Sequence, residues 1–224
     1  MPDLPRGRSF VLGLLSMTSL AAWLQYRRVA CLAGAATLVA GISEGSISLT
    51  AAGSVAALFA SGAIGYNLPD GSRQKLLVGW LQMLALVSFS QRLIPGFART
   101  VWPQALQIRP DAISFMPSYN LDKVLAASVV LTFCAVPRAS GAGLSDNLRA
   151  IIKVTGPTLG LIALMLLPSL ATRHVRFDPV LHPYFIFWFV HNLLLVAVPE
   201  ETLYRGILPL LLERTLPKNL AHPW

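Results

Sequence analysis

Apolar runs of near membrane length, separated by short polar breaks, set the pattern of this chain. They cover Ser9–Leu24, Val29–Ser43, Ser46–Leu68, Leu76–Ile94, Val124–Val136, Ile151–Ala171 and Val180–Val198, and Leu203–Leu212 begins an eighth. A helix crossing a bilayer needs about 20 predominantly apolar residues. The third, fourth, sixth and seventh runs reach that length, while the first, second and fifth need tilt or polar extensions. Pairing of backbone groups in lipid demands helices or a closed barrel. Strict polar–apolar alternation, the mark of barrel strands, is absent. The pattern therefore predicts an all-α fold, a polytopic transmembrane helical bundle of roughly six to eight helices.

Composition sharpens this. Only 12% of the residues are charged and 54% are apolar, with a mean hydropathy of +0.60. A soluble domain carries about 25% charged residues, so this chain lacks the polar coat of a cytosolic globule. The net charge of +8 is spread singly between apolar runs rather than gathered on one face. That distribution suits loops facing anionic lipid headgroups and argues against nucleic acid as a partner. Cys31 and Cys134 each sit inside an apolar run, with no metal-type spacing, and read as small buried hydrophobes.

The first run, with Arg6 and Arg8 before it, has some features of a signal peptide. Arg27 and Arg28 stand where a cleavage site needs small neutral residues, so an uncleaved first helix is expected. Two arginines on each side leave its orientation undetermined. Pro69-Asp70-Gly71 marks a turn. Residues 91–122, with Pro95, Pro103, Pro110, Pro117, Trp102, Phe115 and Tyr119, read as a loop at the membrane interface. Asp122 reads as the N-cap of the fifth helix. Gly13, Gly34, Gly41, Gly53 and Gly62 are expected to let helices pack closely. The chain divides into N-terminal transmembrane helices over residues 1–178 and a distinct C-terminal segment over 179–224.

The chemistry concentrates in that C-terminal segment. Glu200 and Glu201 follow Val180–Val198, which is free of formal charge. Carboxylates at membrane depth are costly and mark function. Pro199 suits the first position of a new helix, which puts both glutamates in its first turn near the positive end of the dipole. Glu201 and Arg205 are four apart and share a face in the favourable order, while Glu200 lies about 100° around. Glu201 thus has a cation and Glu200 has none. A carboxyl beside a like charge in a poorly solvated place titrates high, as general-base activation of water requires.

The run Glu200-Glu201-x-x-x-Arg205, with Tyr204, Gly206, the apolar helix before it and the Leu-rich Ile207–Leu212 after it, resembles the first motif of the CAAX-protease and bacteriocin-processing family of intramembrane glutamic endopeptidases, the Abi or Rce family. The likeness covers about residues 184–224. It implies an integral protein of the bacterial inner membrane that acts on a peptide or protein substrate without a cofactor. On that resemblance Glu200 is the base for water, and Glu201 with Arg205 the supporting electrostatic pair. The family also carries F-x-x-x-H and H-x-x-x-N/D motifs after this one. Neither occurs between Arg205 and Trp224, so a truncated or degenerate member is expected.

Phe187-x-x-x-His191 matches the first of those motifs but precedes the glutamates, and His191 reads as an ordinary helix histidine. His174 and His182 are expected at the interface. No zinc spacing occurs, and no metal is called for. Two other functions compete. A non-catalytic scaffold or bacteriocin-immunity-type protein would use Glu201–Arg205 to lock helices. A proton-coupled transporter would need polar residues on several helices, whereas they cluster at one place.

Overall fold

A computed structural model describes residues 6–98, 100–101, 118–134, 144–173 and 185–216. The fold is all-α. Four helices come first: α1 (Arg6–Trp23), α2 (Arg27–Ser43), α3 (Leu49–Asn67) and α4 (Arg73–Ser90). Ser48 and Ser72 cap α3 and α4, their hydroxyls accepting from the amides of Ala51 and Lys75 at 3.2 Å each. These caps start each helix just outside or inside the predicted run. The turn at Pro69-Asp70-Gly71 forms as expected, with Gly71 at φ +79°.

The predicted loop after α4 contains more order than expected. Phe97 bridges to Ile47, and Gly96, at φ +97°, offers its carbonyl to Ser48 N–H at 2.8 Å. A side chain at Gly96 would be strained there and would strike Ser48. Two short strands, β1 (Thr100–Val101) and β2 (Ser118–Tyr119), pair antiparallel and lead straight into α5 (Leu121–Phe133). Trp102, Phe115 and the prolines from 103 to 117 lie outside the described residues.

Of α5, every residue from Leu121 to Thr132 is buried except Lys123. A helix apolar or small on all faces belongs at a centre, and α5 occupies it. It supplies Leu121, Val124 and Leu125 to one core with Leu15, Leu194 and Leu195. It supplies Ala126, Ala127 and Val130 to a second core with Leu58, Leu86, Ile207 and Leu211. Close packing by glycine is real at Gly62, where an added Cβ would lie 2.6 Å from the Phe133 ring. At Gly13 and Gly53 it is not, because nothing lies within 4 Å of such an atom.

The C-terminal helices depart most from expectation. α7 (Phe185–His191), a π turn (Asn192–Ala197), α8 (Val198–Glu201), a second π turn (Thr202–Ile207) and α9 (Leu208–Thr215) follow one another with right-handed helical dihedrals at every junction. Pro199 therefore begins no new helix. Proline lacks an N–H and its ring clashes with the carbonyl four residues back. A π turn widens the coil by one residue and relieves that clash. Each π turn ends two residues before a proline, Pro199 or Pro209. In each, the closing amide bonds five residues back, Val198 to Leu193 and Leu208 to Leu203.

The chain forms two compact units, Met1–Val136 with Tyr184–Trp224, and Pro137–Pro183. The second contains α6 (Leu144–Ala171), which keeps Pro157 and Pro168 inside a regular α-helix. By length and composition, Leu49–Asn67 is the one helix among the described residues able to cross a membrane. Phe10–Trp23 and Thr155–Ala171 are shorter apolar stretches.

Candidate functional site

The acidic pair lies in the short α8 segment between the two π turns. Glu201 Oε2 meets Arg205 Nε at 3.1 Å, four residues on, as the spacing predicted. Glu200 is different from its expectation. Its Oε1 accepts from Lys123 Nζ at 2.9 Å, so the carboxylate has a cation after all, from α5 rather than from its own helix. Oε2 of Glu200 makes no hydrogen bond among the described residues. The two glutamate side chains are 51% and 53% exposed, not sequestered, while Lys123 is only 16% exposed. The helix runs unbroken through Pro199, so neither glutamate sits at a free helix N-terminus and the dipole argument lapses.

Local structure around the N-terminus of α5 explains how Lys123 gets there. Asn120, not Asp122, is the residue that precedes the helix. Asp122 lies in the first turn, buried, its Oδ1 accepting from the Lys123 amide at 2.8 Å. Arg92, in the left-handed region at φ +57°, directs its guanidinium to the Asn120 side chain. Tyr119, at the end of β2, stands edge-on to His191 with ring centroids 4.7 Å apart. Burial pushes the Tyr119 phenol well above the ordinary tyrosine range.

The first π turn decides which way these groups face. His191 and Glu200 are nine positions apart. On a regular α-helix they would point about 180° apart, at roughly 100° per residue. The extra residue absorbed by one π turn cuts that to roughly 80°. Both residues accordingly meet the same stretch of chain, His191 at Tyr119 and Glu200 at Lys123. The turn is itself held in place by α1, where buried Ser19 donates its hydroxyl to the Leu194 carbonyl at 2.7 Å.

Chemically, one oxygen of Glu200 is pinned and the other is open, the arrangement of a positioned carboxylate that can take a proton from water. Glu201 likewise has one oxygen paired, Oε2 with Arg205, in a pair whose two side chains are both exposed. His191 contacts Tyr119, and Asn192 bonds back to the Trp188 carbonyl at 2.8 Å. No cluster of His, Cys, Asp and Glu able to hold a metal ion occurs among the described residues. His174, His182 and His222 lie outside them. The sequence alone does not single out Lys123. Its signal was an Asp-Lys pair opening an otherwise apolar helix, a lone charge that needs a partner. No protein-family profile, no curated protein and no solved structure matches this chain.

Proposed function

We propose that this chain is a polytopic membrane protein of roughly six to eight helices and an endopeptidase of the CAAX-protease and bacteriocin-processing type. Glu200 takes a proton from water, the water oxygen adds to a peptide carbonyl carbon, and the C–N bond breaks as the amine nitrogen receives the proton. Glu201 and Arg205 hold the helix face, and Lys123 aims the Glu200 carboxylate. The carrying observation is how each carboxylate is held: Glu201 pairs with the exposed Arg205 of its own helical run, while Glu200 is anchored from α5 by the largely buried Lys123 and keeps its other oxygen open. The E-E-x-x-x-R run resembles the first motif of that family on the same residues.

The test uses the full chain in lipid nanodiscs, a peptide library and mass spectrometry of the products. Cleavage by the wild type should fall about 100-fold or more in Glu200→Gln, the usual scale for losing a general base. Cleavage that persists in Glu200→Gln overturns the role of Glu200. A second reading, the non-catalytic scaffold, draws on Glu200 also being in an ion pair, as a structural lock would be. A wild type without cleavage, whose stability drops in Glu200→Gln, favours it. Carbonate extraction of cell membranes checks the location separately: the protein should stay in the pellet.

A further inference from the structure

A cavity of about 500 Å³ lies at the other end of α5 from Glu200. Ligand sites fall in the range of about 300–1,000 Å³ and combine apolar walls with a few convergent polar groups. Here the walls come from four separate parts of one compact unit: the end of α3, the start and middle of α4, the end of α5, and the second π turn with α9. Ile207 and Leu211, almost fully buried, and the Phe133 ring form an apolar floor. Asp70, Lys75 and Arg214 stand at the exposed mouth.

The charges at that mouth do not balance. Lys75 Nζ is bound to Asp70 Oδ1 at 2.8 Å and to the Leu68 carbonyl at 3.1 Å. Arg214 makes no ion pair among the described residues, so one cation is left over. A further guanidinium, that of Arg27, lies 4.0 Å over the Tyr66 ring, which also lines the cavity. Deeper in, Gln82 is 3% exposed. Its Oε1 accepts the Cys134 thiol proton at 3.0 Å, which leaves its amide Nε2 hydrogens without a partner among the described residues. Gln82 lines the cavity, so a ligand acceptor can reach that amide.

We propose that this cavity binds an anionic phospholipid. The phosphate sits at Arg214 and Lys75, an acceptor such as the ester carbonyl takes the Gln82 amide, and an acyl chain covers Phe133, Ile207 and Leu211. Guanidinium and ammonium groups are suited to phosphate, and basic pockets between helices are known to hold such headgroups. A neutral apolar ligand would leave Arg214 and Gln82 unanswered. The site does not depend on the peptidase reading. Its lipid occupant rests on the membrane reading, which carbonate extraction tests alone.

The experiment is native mass spectrometry of the purified, delipidated full chain titrated with phosphatidylglycerol, with phosphatidylcholine, or with inorganic phosphate. One phosphatidylglycerol per chain should be retained about tenfold more tightly than phosphatidylcholine, equivalent to about 1.4 kcal/mol. Arg214→Gln, at an exposed position, should remove most of that preference. Gln82→Leu should weaken retention of both lipids. Lys153→Gln, an exposed cation on α6, should change nothing. Equal retention of the two lipids overturns the proposal, as does an unaltered preference in Arg214→Gln or an equal loss in Lys153→Gln. Complete displacement by millimolar phosphate overturns the lipid assignment in favour of a free anion.

Discussion

The two ends of α5 handle charge in opposite ways. At its N-terminus the cations near the acidic pair among the described residues each have a partner: Lys123 with Glu200, Arg205 with Glu201, and Arg92 with Asn120. At its C-terminus Lys75 has Asp70 but Arg214 has no ion-pair partner among the described residues, around a hollow of about 500 Å³. Neutralised charge with one open oxygen suits chemistry on a bound water. Surplus charge beside an apolar floor suits holding a ligand. A single buried helix carries both because its small and apolar residues let it be packed on all sides, leaving only its ends for polar work.

If the ends share one support, damage to that support should reach both. Leu125 is 1% exposed within α5. Leu125→Ala should cost about 2–5 kcal/mol through lost burial and the void left behind. Chemical unfolding in micelles measures the loss. Both peptide cleavage and phosphatidylglycerol retention should fall at temperatures the wild type tolerates. If one end keeps full function while the other collapses, the common-support account is wrong.

The acidic end has its own dependence, on the first π turn. Removing the Ser19 hydroxyl leaves the buried Leu194 carbonyl without its cross-helix donor. Ser19→Ala should cost about 1–3 kcal/mol, the scale for a buried group that loses its partner. It should also release the rotation that brings Glu200 to Lys123. Ser19→Cys, which retains a weak donor, should recover part of the loss. Cleavage should drop while lipid retention at the far end stays within twofold, on the order of 0.4 kcal/mol. An equal drop at both ends would show that Ser19 supports the whole unit rather than the turn.

These dependencies follow what the sequence made legible. The helical content, the turn at Pro69-Asp70-Gly71 and the Glu201–Arg205 pair are all local, set by residues within a few positions of each other. Lys123 and Glu200 are 77 positions apart, and pairing at that range depends on packing that no window of sequence contains. Pro199 misled for a definite reason. Proline is a helix breaker by local rule, and the π turn before Pro199, tied down by Ser19, relieves the clash and lets the helix continue. The cavity was invisible because its four walls come from segments far apart in the sequence. Arg214 stands out only beside Lys75 and Asp70.

The smallest expected effect belongs to the turn that shapes the cavity mouth. A hydrogen bond from Lys75, and then its charge, hold the Asp70 carboxyl below its usual range, with Arg214 adding a weaker pull. A carboxyl lowered in the folded state stabilises that state above its unfolded value, which is about 3.9 for aspartate. That contribution is lost as pH falls through the folded value. Acid below about pH 4 should therefore loosen the α3–α4 turn. Asp70 is fully open to solvent, so screening keeps the effect small and salt should erase it. Hydrogen exchange of the Lys75 amide, which is held by Ser72, reads the turn directly. Asp70→Asn should remove the acid dependence of that exchange. It should also leave Lys75 as well as Arg214 unpaired, so phosphatidylglycerol should bind more tightly to this variant than to the wild type. Weaker binding would mean that Asp70 positions Lys75 for the headgroup rather than competing with it.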